Sequence, residues 1–208
     1  GKAIIVAVHR ALESLHRAGV TPDLTIAVEC RDVKHQFVDV GLERLAAVVL
    51  TTMVDNNLQT LETPRTIQYC SQAWEPWLLP DDERDASVAR CQGTVSHSAV
   101  SLGKIWGCDP IILVGQDLAF PDGQMYHSEG ADGDATLEFN GQRGDYTMKG
   151  SSDWRTHTLG EGWNKPFRCL PVPAVGGGTV LTSTHFNFFR LEFEEWAAQW
   201  GGSPRLFN

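Results

Sequence analysis

Two short segments carry side chains whose types and spacing suit a phosphorylated ligand. The first is Gly93-Thr94-Val95-Ser96-His97, which opens a stretch of helical periodicity. A helix start offers unpaired amide N–H groups and the positive end of the helix dipole, and Thr94 and Ser96 add hydroxyl groups. That combination can seat a phosphate or carboxylate. The same residues equally suit plain N-capping. His97, close by, is a candidate phosphate donor or base, and a structural histidine would occupy the same place. The second segment is Gly115-Gln116-Asp117-Leu118-Ala119-Phe120. Gly115 lets the backbone turn where a ligand comes close. Gln116 offers both a donor and an acceptor, matching a base or sugar edge. Asp117 can take a sugar hydroxyl, a metal or a basic group, or can serve an Asx turn.

Other candidates are looser. Tyr126 and His127 follow in a polar stretch and are plausible contacts for a phosphate or leaving group. Glu29, Asp32 and Asp117 follow apolar runs and can offer oxygen ligands to Mg²⁺. Gly176-Gly177-Gly178 lacks the Lys-Ser/Thr ending of a phosphate-binding P-loop, which favours a joint over a cradle. No Gly-x-Ser-x-Gly elbow and no His-Asp-Glu zinc spacing occurs, so a serine hydrolase and a zinc enzyme are poorly supported. Cysteines stand at 30, 70, 91, 108 and 169 without a Cys-x-x-Cys pair. Reduced thiols in a cytoplasmic protein are the simplest expectation.

Such residues need elements to position them. Ala3–Val8, Leu24–Val28, Ala47–Leu50 and Ile111–Val114 are short apolar runs rich in β-branched residues, the pattern of buried parallel strands. Thr66–Cys70 is a possible further strand. Ala11, Leu12, Leu15 and Ala18 recur at helical spacing, Gly19 stops the helix, and the run to residue 28 predicts a strand–helix–strand unit. Leu42, Leu45 and Ala46 suit a short helix face. Val95, Ala99, Leu102 and Trp106 predict an amphipathic helix that ends at Gly107. Residues 71–92, with Trp74 and Trp77, read as a surface excursion. Residues 115–165 are too long and polar for a plain connection, and Ala135–Lys149 suits a hairpin around Asn140-Gly141. Thr179–Leu181 leads into a helix whose stripe is Phe186, Phe189, Phe193, Trp196, Ala197 and Trp200. Arg205–Phe207 suits a last strand.

The fold expected is therefore α/β, with a mostly parallel sheet flanked by helices and an irregular or β insertion near 118–165. In such sheets a ligand sits beyond the carboxyl ends of the strands. The residues that follow the strands are His9 and Arg10, then Glu29, Arg31 and Asp32, then Thr51 and Thr52, then Gly115–Asp117, then Thr182–Thr184.

Composition agrees with a globular domain. The chain has 208 residues, 42% hydrophobic and 21% charged, enough for a substantial core. No run of about 18 apolar residues is present, which argues against a membrane span. With 17 Lys+Arg against 26 Asp+Glu, the formal net charge is −9. Binding to a nucleic-acid polymer rests on neutralising phosphates and is disfavoured.

The stretches GKAIIVAVHRALESLHRAGVTPDLTIAVE, GTVSHSAVSLGKIWGCDPIILVGQDLAF, MYHSEG and GTVLTSTHFNFFRLEFEEWAAQWGGSPRLFN together resemble the central domain of the motility-associated factor (Maf) flagellin glycosyltransferases. That domain is grouped with the archaeal MptE-like hydroxymethyl-dihydropterin pyrophosphokinases. The likeness spans nearly the whole chain, and Gly-Gln-Asp-Leu-Ala-Phe is its most specific part, with Pro22-Asp23 in support. The Gly-Thr helix followed by a strand and Gly-x-Asp is also similar to bacterial CMP-sialic-acid-dependent sialyltransferases. The resemblance implies a Rossmann-like nucleotide-sugar-binding domain. Gly93, Thr94, Ser96, Gly115, Gln116 and Asp117 would contact a CMP-sugar, and Tyr126 or His127 would face its phosphate. Glu29 stands where many relatives carry Asp. A Gly-Pro-Ser-Leu stretch usual before the first strand is missing, and of a usual Asn-Ala-Thr-Glu-Gly-Gly ending only Asn208 remains. Residues 1–208 are therefore expected to be a single domain forming the core of a longer chain.

Three functions follow from these residues and the resemblance. The first is transfer of a nonulosonic acid from a CMP-sugar donor to Ser or Thr of flagellin, with Asp117 at the sugar and His97 or His127 as base. The second is an MptE-like pyrophosphokinase that uses ATP and Mg²⁺, with Glu29, Asp32 or Asp117 as ligands. The third is a non-catalytic module that binds a nucleotide or flagellin.

Overall fold

The computed structural model describes residues 3–30, 32–51, 54–69, 93–123, 136–140, 145–149 and 166–208. The chain forms two compact units, one of residues 1–112 with 202–207, the other of residues 113–201 with 208.

The first unit is built on four parallel strands: β1 (Val6–Val8), β2 (Leu24–Ala27), β3 (Ala47–Thr51) and β4 (Thr66–Tyr69), side by side in that order. Val8 lies opposite Ile26, Ile26 opposite Val49, and Val49 opposite Ile67. Alternation along each strand sorts side chains onto two faces. Val6, Val8, Leu24, Ile26, Val49, Ile67 and Tyr69 gather in one cluster. They are covered by Val95, Ala99 and Leu102 of helix α3 (Val95–Ile105). Ala7, Ala27, Val48 and Leu50 gather in the other cluster, under Leu12 of α1 (Leu12–Arg17) and Leu58 of α2 (Asn56–Gln59). Phe37 and Leu42, from the 3-10 turns Lys34–Phe37 and Leu42–Arg44, complete that layer. The unit is thus an α/β fold with helical segments on both faces of a parallel sheet.

Three details differ from the pattern read in sequence. Strand β1 begins at Val6 rather than Ala3, and Ile4 and Ile5 are 58% and 43% exposed. The backbone groups of Ile5 are taken by Asp23, whose Oδ2 accepts from Ile5 N at 2.8 Å and whose N donates to Ile5 O at 2.9 Å. Only Ile111–Ile112 (β5) of the Ile111–Val114 run is strand, paired in parallel with β10 (Leu206–Phe207). Ile112 is 65% and Val114 88% exposed, so apolar composition there does not report burial. The stretch at 42–46 forms a 3-10 turn and not an α-helix, because Leu45 is already extended.

Helix α2 shows how the loop after β3 is held. Asp55 is its N-cap, and Asp55 Oδ1 accepts from Asn57 N at 2.8 Å. Removing a cap of this kind costs about 1 kcal/mol. Asp55→Ala should lower the chain's unfolding free energy by that amount, read by urea titration, while Asp55→Asn should recover most of it.

In the second unit, β6 (Thr136–Asn140) and β7 (Asp145–Lys149) form an antiparallel pair with Asn140 opposite Asp145. The hairpin expected over 135–149 is present, but Asn140 is inside the strand, so residues 141–144 connect the two. Strands β8 (Cys169–Pro173) and β9 (Thr179–Ser183) form a second antiparallel pair. Gly176, Gly177 and Gly178 join them with φ of +93°, +103° and +78°, a run that side-chain-bearing residues avoid. Helix α4 (Thr184–Gln199) follows, capped by Ser183 Oγ accepting from Phe186 N at 3.2 Å. Phe193 and Trp196 of its predicted stripe are buried, Phe186 and Phe189 are half-buried, and Ala197 is exposed. Phe120 anchors this unit, packed among Leu137, Phe167, Cys169 and Phe186.

Candidate functional site

The carboxyl ends of β1, β2 and β3 form the polar edge of the first unit. His9 directly follows β1 and is only 5% exposed. Its ring stacks on Phe37, with centroids 5.8 Å apart and planes 14° from parallel. Burial, and secondarily the charge of Arg10, push its pKa down to about 4; a hydrogen bond to the Ile26 backbone works the other way. His9 is therefore neutral at pH 7. Its Nδ1 has no hydrogen-bond partner, as is true of both amide atoms of Gln36.

The loops after β2 and β3 are tied together. Asp55 N donates to Glu29 O at 3.3 Å. Asp32 accepts from Lys34 N at 3.0 Å through one oxygen and from Asn57 Nδ2 at 2.8 Å through the other. The Lys34 amide bond is the main reason its carboxyl sits below the usual carboxylate range. Lys34 Nζ donates to Thr60 Oγ1 at 2.8 Å, and Thr60 Oγ1 in turn donates to Asn57 O. Glu29 is half-buried next to the exposed thiol of Cys30. Among the described residues, no three or more His, Cys, Asp or Glu side chains gather closely enough to hold a metal ion.

Helix α3 covers one face of the same sheet. Val95, in its first turn, joins the apolar cluster of that face, which holds Val6 and Leu24 from the starts of strands as well as Val8 and Tyr69 from their ends. Its far end lies near the start of β5, where a Cβ on Gly103 would come within 3.3 Å of Ile111 Cδ1. Thr94 is the N-cap residue with extended backbone, yet no side chain caps the helix. His97 N bonds Thr94 O at 3.1 Å. The first-turn amides of Val95 and Ser96 therefore lack the side-chain acceptor that capping would supply. The N-capping alternative for Thr94 and Ser96 is not realised. Gly93 is exposed with φ +97°, Thr94 is half-buried, and Ser96 is buried. His97 is completely buried.

In the second unit, Gly115 has φ +72° with open space around it, so backbone conformation alone calls for glycine there. Gln116 is half-buried and Asp117 exposed. Leu118 is held at φ +47°, an unusual state for a bulky residue. Its carbonyl accepts from the buried Thr182 Oγ1 at 2.6 Å, and Phe120 N donates to Leu181 O at 2.7 Å. Strand β9 thereby clamps both ends of Leu118–Phe120 and fixes the backbone on which Asp117 sits. Cys169 on β8 is a free thiol that burial pushes up to about 11, an inert rather than nucleophilic state.

The structure thus gathers Glu29 and Asp32 in one loop system, and Gly93, Thr94, Ser96 and His97 at one helix start. Gly115, Gln116 and Asp117 stand on one braced turn of the second unit. Arg31, Thr52, Trp74, Trp77, Tyr126 and His127 lie outside the described residues. Asn57 and Gln36 carry no strand-end signature and were not among the expected residues. Asp55-Asn56-Asn57 before Leu58 is a capping pattern that would have pointed to the first.

No curated protein matches the chain in sequence. Among solved structures, it is similar to that of a MAf glycosyltransferase from Magnetospirillum magneticum AMB-1. The identity is 16% and the TM-score 0.56, over 90% of this chain and 24% of that one. The likeness is one of fold, and the chain spans about a quarter of that protein's length. Residues 1–123 match the family described as 6-hydroxymethylpterin diphosphokinase MptE-like. The match takes in the whole four-stranded sheet, α3 and the Gly115–Phe120 turn, and the chain belongs to that MptE-like family.

Proposed function

We propose that the chain is the nucleotide-sugar-binding core of a glycosyltransferase that moves a nonulosonic acid from a CMP-sugar to a flagellin Ser or Thr hydroxyl. The observation that carries this reading is the start of α3, where Thr94 makes no side-chain cap, on a helix laid against a parallel sheet. A helix start without a side-chain cap suits the phosphate of a nucleotide. The fold shared with a glycosyltransferase over nine-tenths of the chain supports the sugar-transfer chemistry, since it extends past the first unit.

In the reaction, the bond from the sugar's anomeric carbon to the CMP phosphate breaks. The acceptor hydroxyl oxygen bonds to that carbon, its proton passes to a base, and CMP leaves with the electron pair. Charge grows on the departing phosphate, where amide and hydroxyl donors lower the barrier. Val95 N, Ser96 N and the Thr94 hydroxyl fill that role, on a turn opened by Gly93. The resemblance assigns Gly115, Gln116 and Asp117 to the sugar and base, Tyr126 to the phosphate and His127 to the acceptor proton. His97, enclosed on α3, braces the helix start in this scheme. We place the reaction in a reducing, cytoplasmic compartment, in keeping with the free thiols of Cys30, Cys108 and Cys169. Among the described residues no helix is long and apolar enough to cross a membrane.

Calorimetric titration with CMP tests the site. Wild-type protein should bind, and Asp117→Ala should weaken binding at least tenfold, about 1.4 kcal/mol. Equal affinities would remove Asp117 from the site.

Family membership favours a second reading, diphosphate transfer from ATP to a pterin alcohol. There the alcohol oxygen would bond to the β-phosphorus and AMP would leave. Mg²⁺ would rest on the phosphates and Glu29, because both oxygens of Asp32 are already engaged. Thermal shifts with CMP, with ATP and Mg²⁺, and with pterin separate the readings, because only a bound ligand raises the transition.

A further inference from the structure

The first unit carries two open strand edges under one helix. Among the described residues, β1 pairs only with β2, and β5 only with β10. Leu24 N donates to Ile5 O at 3.1 Å, and Val6 lies opposite Leu24. In a parallel ladder this turns the backbone groups of Ala7 toward β2 and those of Val6 and Val8 toward the other side. Helix α3 touches β1, β2 and β5, yet no ladder joins β1 to β5. Strands lie about 4.8 Å apart and a helix is about 10 Å across, so a helix that reaches all three leaves room for about one strand between β1 and β5. The far face of β5 is also uncovered. Ile111 meets α3 at Gly103. Ile112, the next residue, turns to the other face and is exposed, as is Phe207 opposite it. Apolar residues of parallel strands are normally covered on both faces.

We propose that the polypeptide immediately before Gly1 supplies a strand that lies parallel to β1 in this gap, between β1 and β5. The order of the sheet selects this occupant. From β1 to β4, each strand steps one place outward from the one before, so a strand preceding β1 belongs on its open side. A right-handed crossover from there into β1 steps in the same direction as β1–α1–β2 and lies on the α1 face. That is the face on which Ile112 is bare. A strand following Asn208 would have to pass both β10 and β5 to reach the gap. Length allows the segment, because the solved MAf glycosyltransferase shares the fold over 90% of this chain and only 24% of its own. Covered on both faces, the segment should be a continuous apolar run. The inference stands independently of the nucleotide reading.

Amide hydrogen exchange, read residue by residue, is the test. It compares residues 1–208 with the same chain carrying the residues that precede Gly1. In residues 1–208 the Val6 and Val8 amides should exchange quickly, while that of Ala7, turned toward β2, is protected. In the longer chain Val6 and Val8 should slow by about a hundredfold more than Ala7 does. Unchanged rates at Val6 and Val8 overturn the proposal. So does equal slowing of all three amides, the mark of a global gain in stability. Val6 and Val8 amides that are already slow in residues 1–208 overturn it as well. Dependence on protein concentration would then assign the gap to a second copy, and independence to another segment of the same residues.

Discussion

Acidification from pH 6.5 to pH 4 should strip the first unit of roughly 3 kcal/mol of stability through His9 alone. Folding holds this imidazole neutral, and the unfolded chain lets it protonate near its ordinary value of 6.5. Between about pH 6.5 and 4 the unfolded state therefore binds more protons, and stability must fall as pH falls. Above pH 6.5 the contribution is fully present, and below 4 it is gone. Urea titrations across this range on wild-type protein and on His9→Phe isolate the effect. The aromatic variant keeps the stack on Phe37 and has nothing to titrate, so its stability should depend less steeply on pH. Parallel curves for the two proteins would contradict the buried neutral state.

Leu50→Ala should be comparably damaging, costing about 2–5 kcal/mol. Leu50 lies on β3, flanked by strands on both sides, and has no exposed surface. Its side chain is part of the cluster beneath α1, the Lys34–Phe37 turn and α2. A cavity there loosens the segments that place His9, Asp32 and Asn57, so any nucleotide affinity should decline along with stability. Exposed Ile112, truncated in the same way, should cost little. Circular-dichroism melts of the two variants provide the comparison, and equal losses would show that the core lies elsewhere.

Much of this arrangement is legible in the chain because burial and period coincide. Val48, Val49 and Leu50 read as a strand since both faces of a parallel sheet are covered, and Val95, Ala99 and Leu102 read as a helix because one stripe is. The same logic misreads Ile111–Val114. A four-residue apolar run carries no mark of whether a neighbouring layer covers it, and here Ile112 and Val114 face outward. Strand β8 escapes notice for the opposite reason, because Pro171 and Pro173 argue against a strand unless a hairpin leaves their nitrogens unused. Leu118 at φ +47° has no sequence signature at all. It is held there by Thr182 and Leu181, more than sixty residues further along.

The polar edge is legible in part for similar reasons. Residues directly after apolar runs, such as His9, Glu29 and Asp32, can be named from sequence. Which of them are consumed by internal bonds cannot. Asp32 offers a carboxylate on paper but gives it to Lys34 and Asn57. Thr94 presents as a helix cap and does not cap. That second difference means the first-turn amides receive no bond from the Thr94 side chain.

The seat of the phosphate is open to direct observation. CMP titrated into ¹⁵N-labelled protein should shift the backbone amide signals of Val95 and Ser96 saturably, together with those of Gly115, Gln116 and Asp117, at one shared Kd. If the Val95 and Ser96 signals stay fixed while CMP saturates the protein, the helix start does not hold the phosphate, and the nucleotide-sugar reading fails with it.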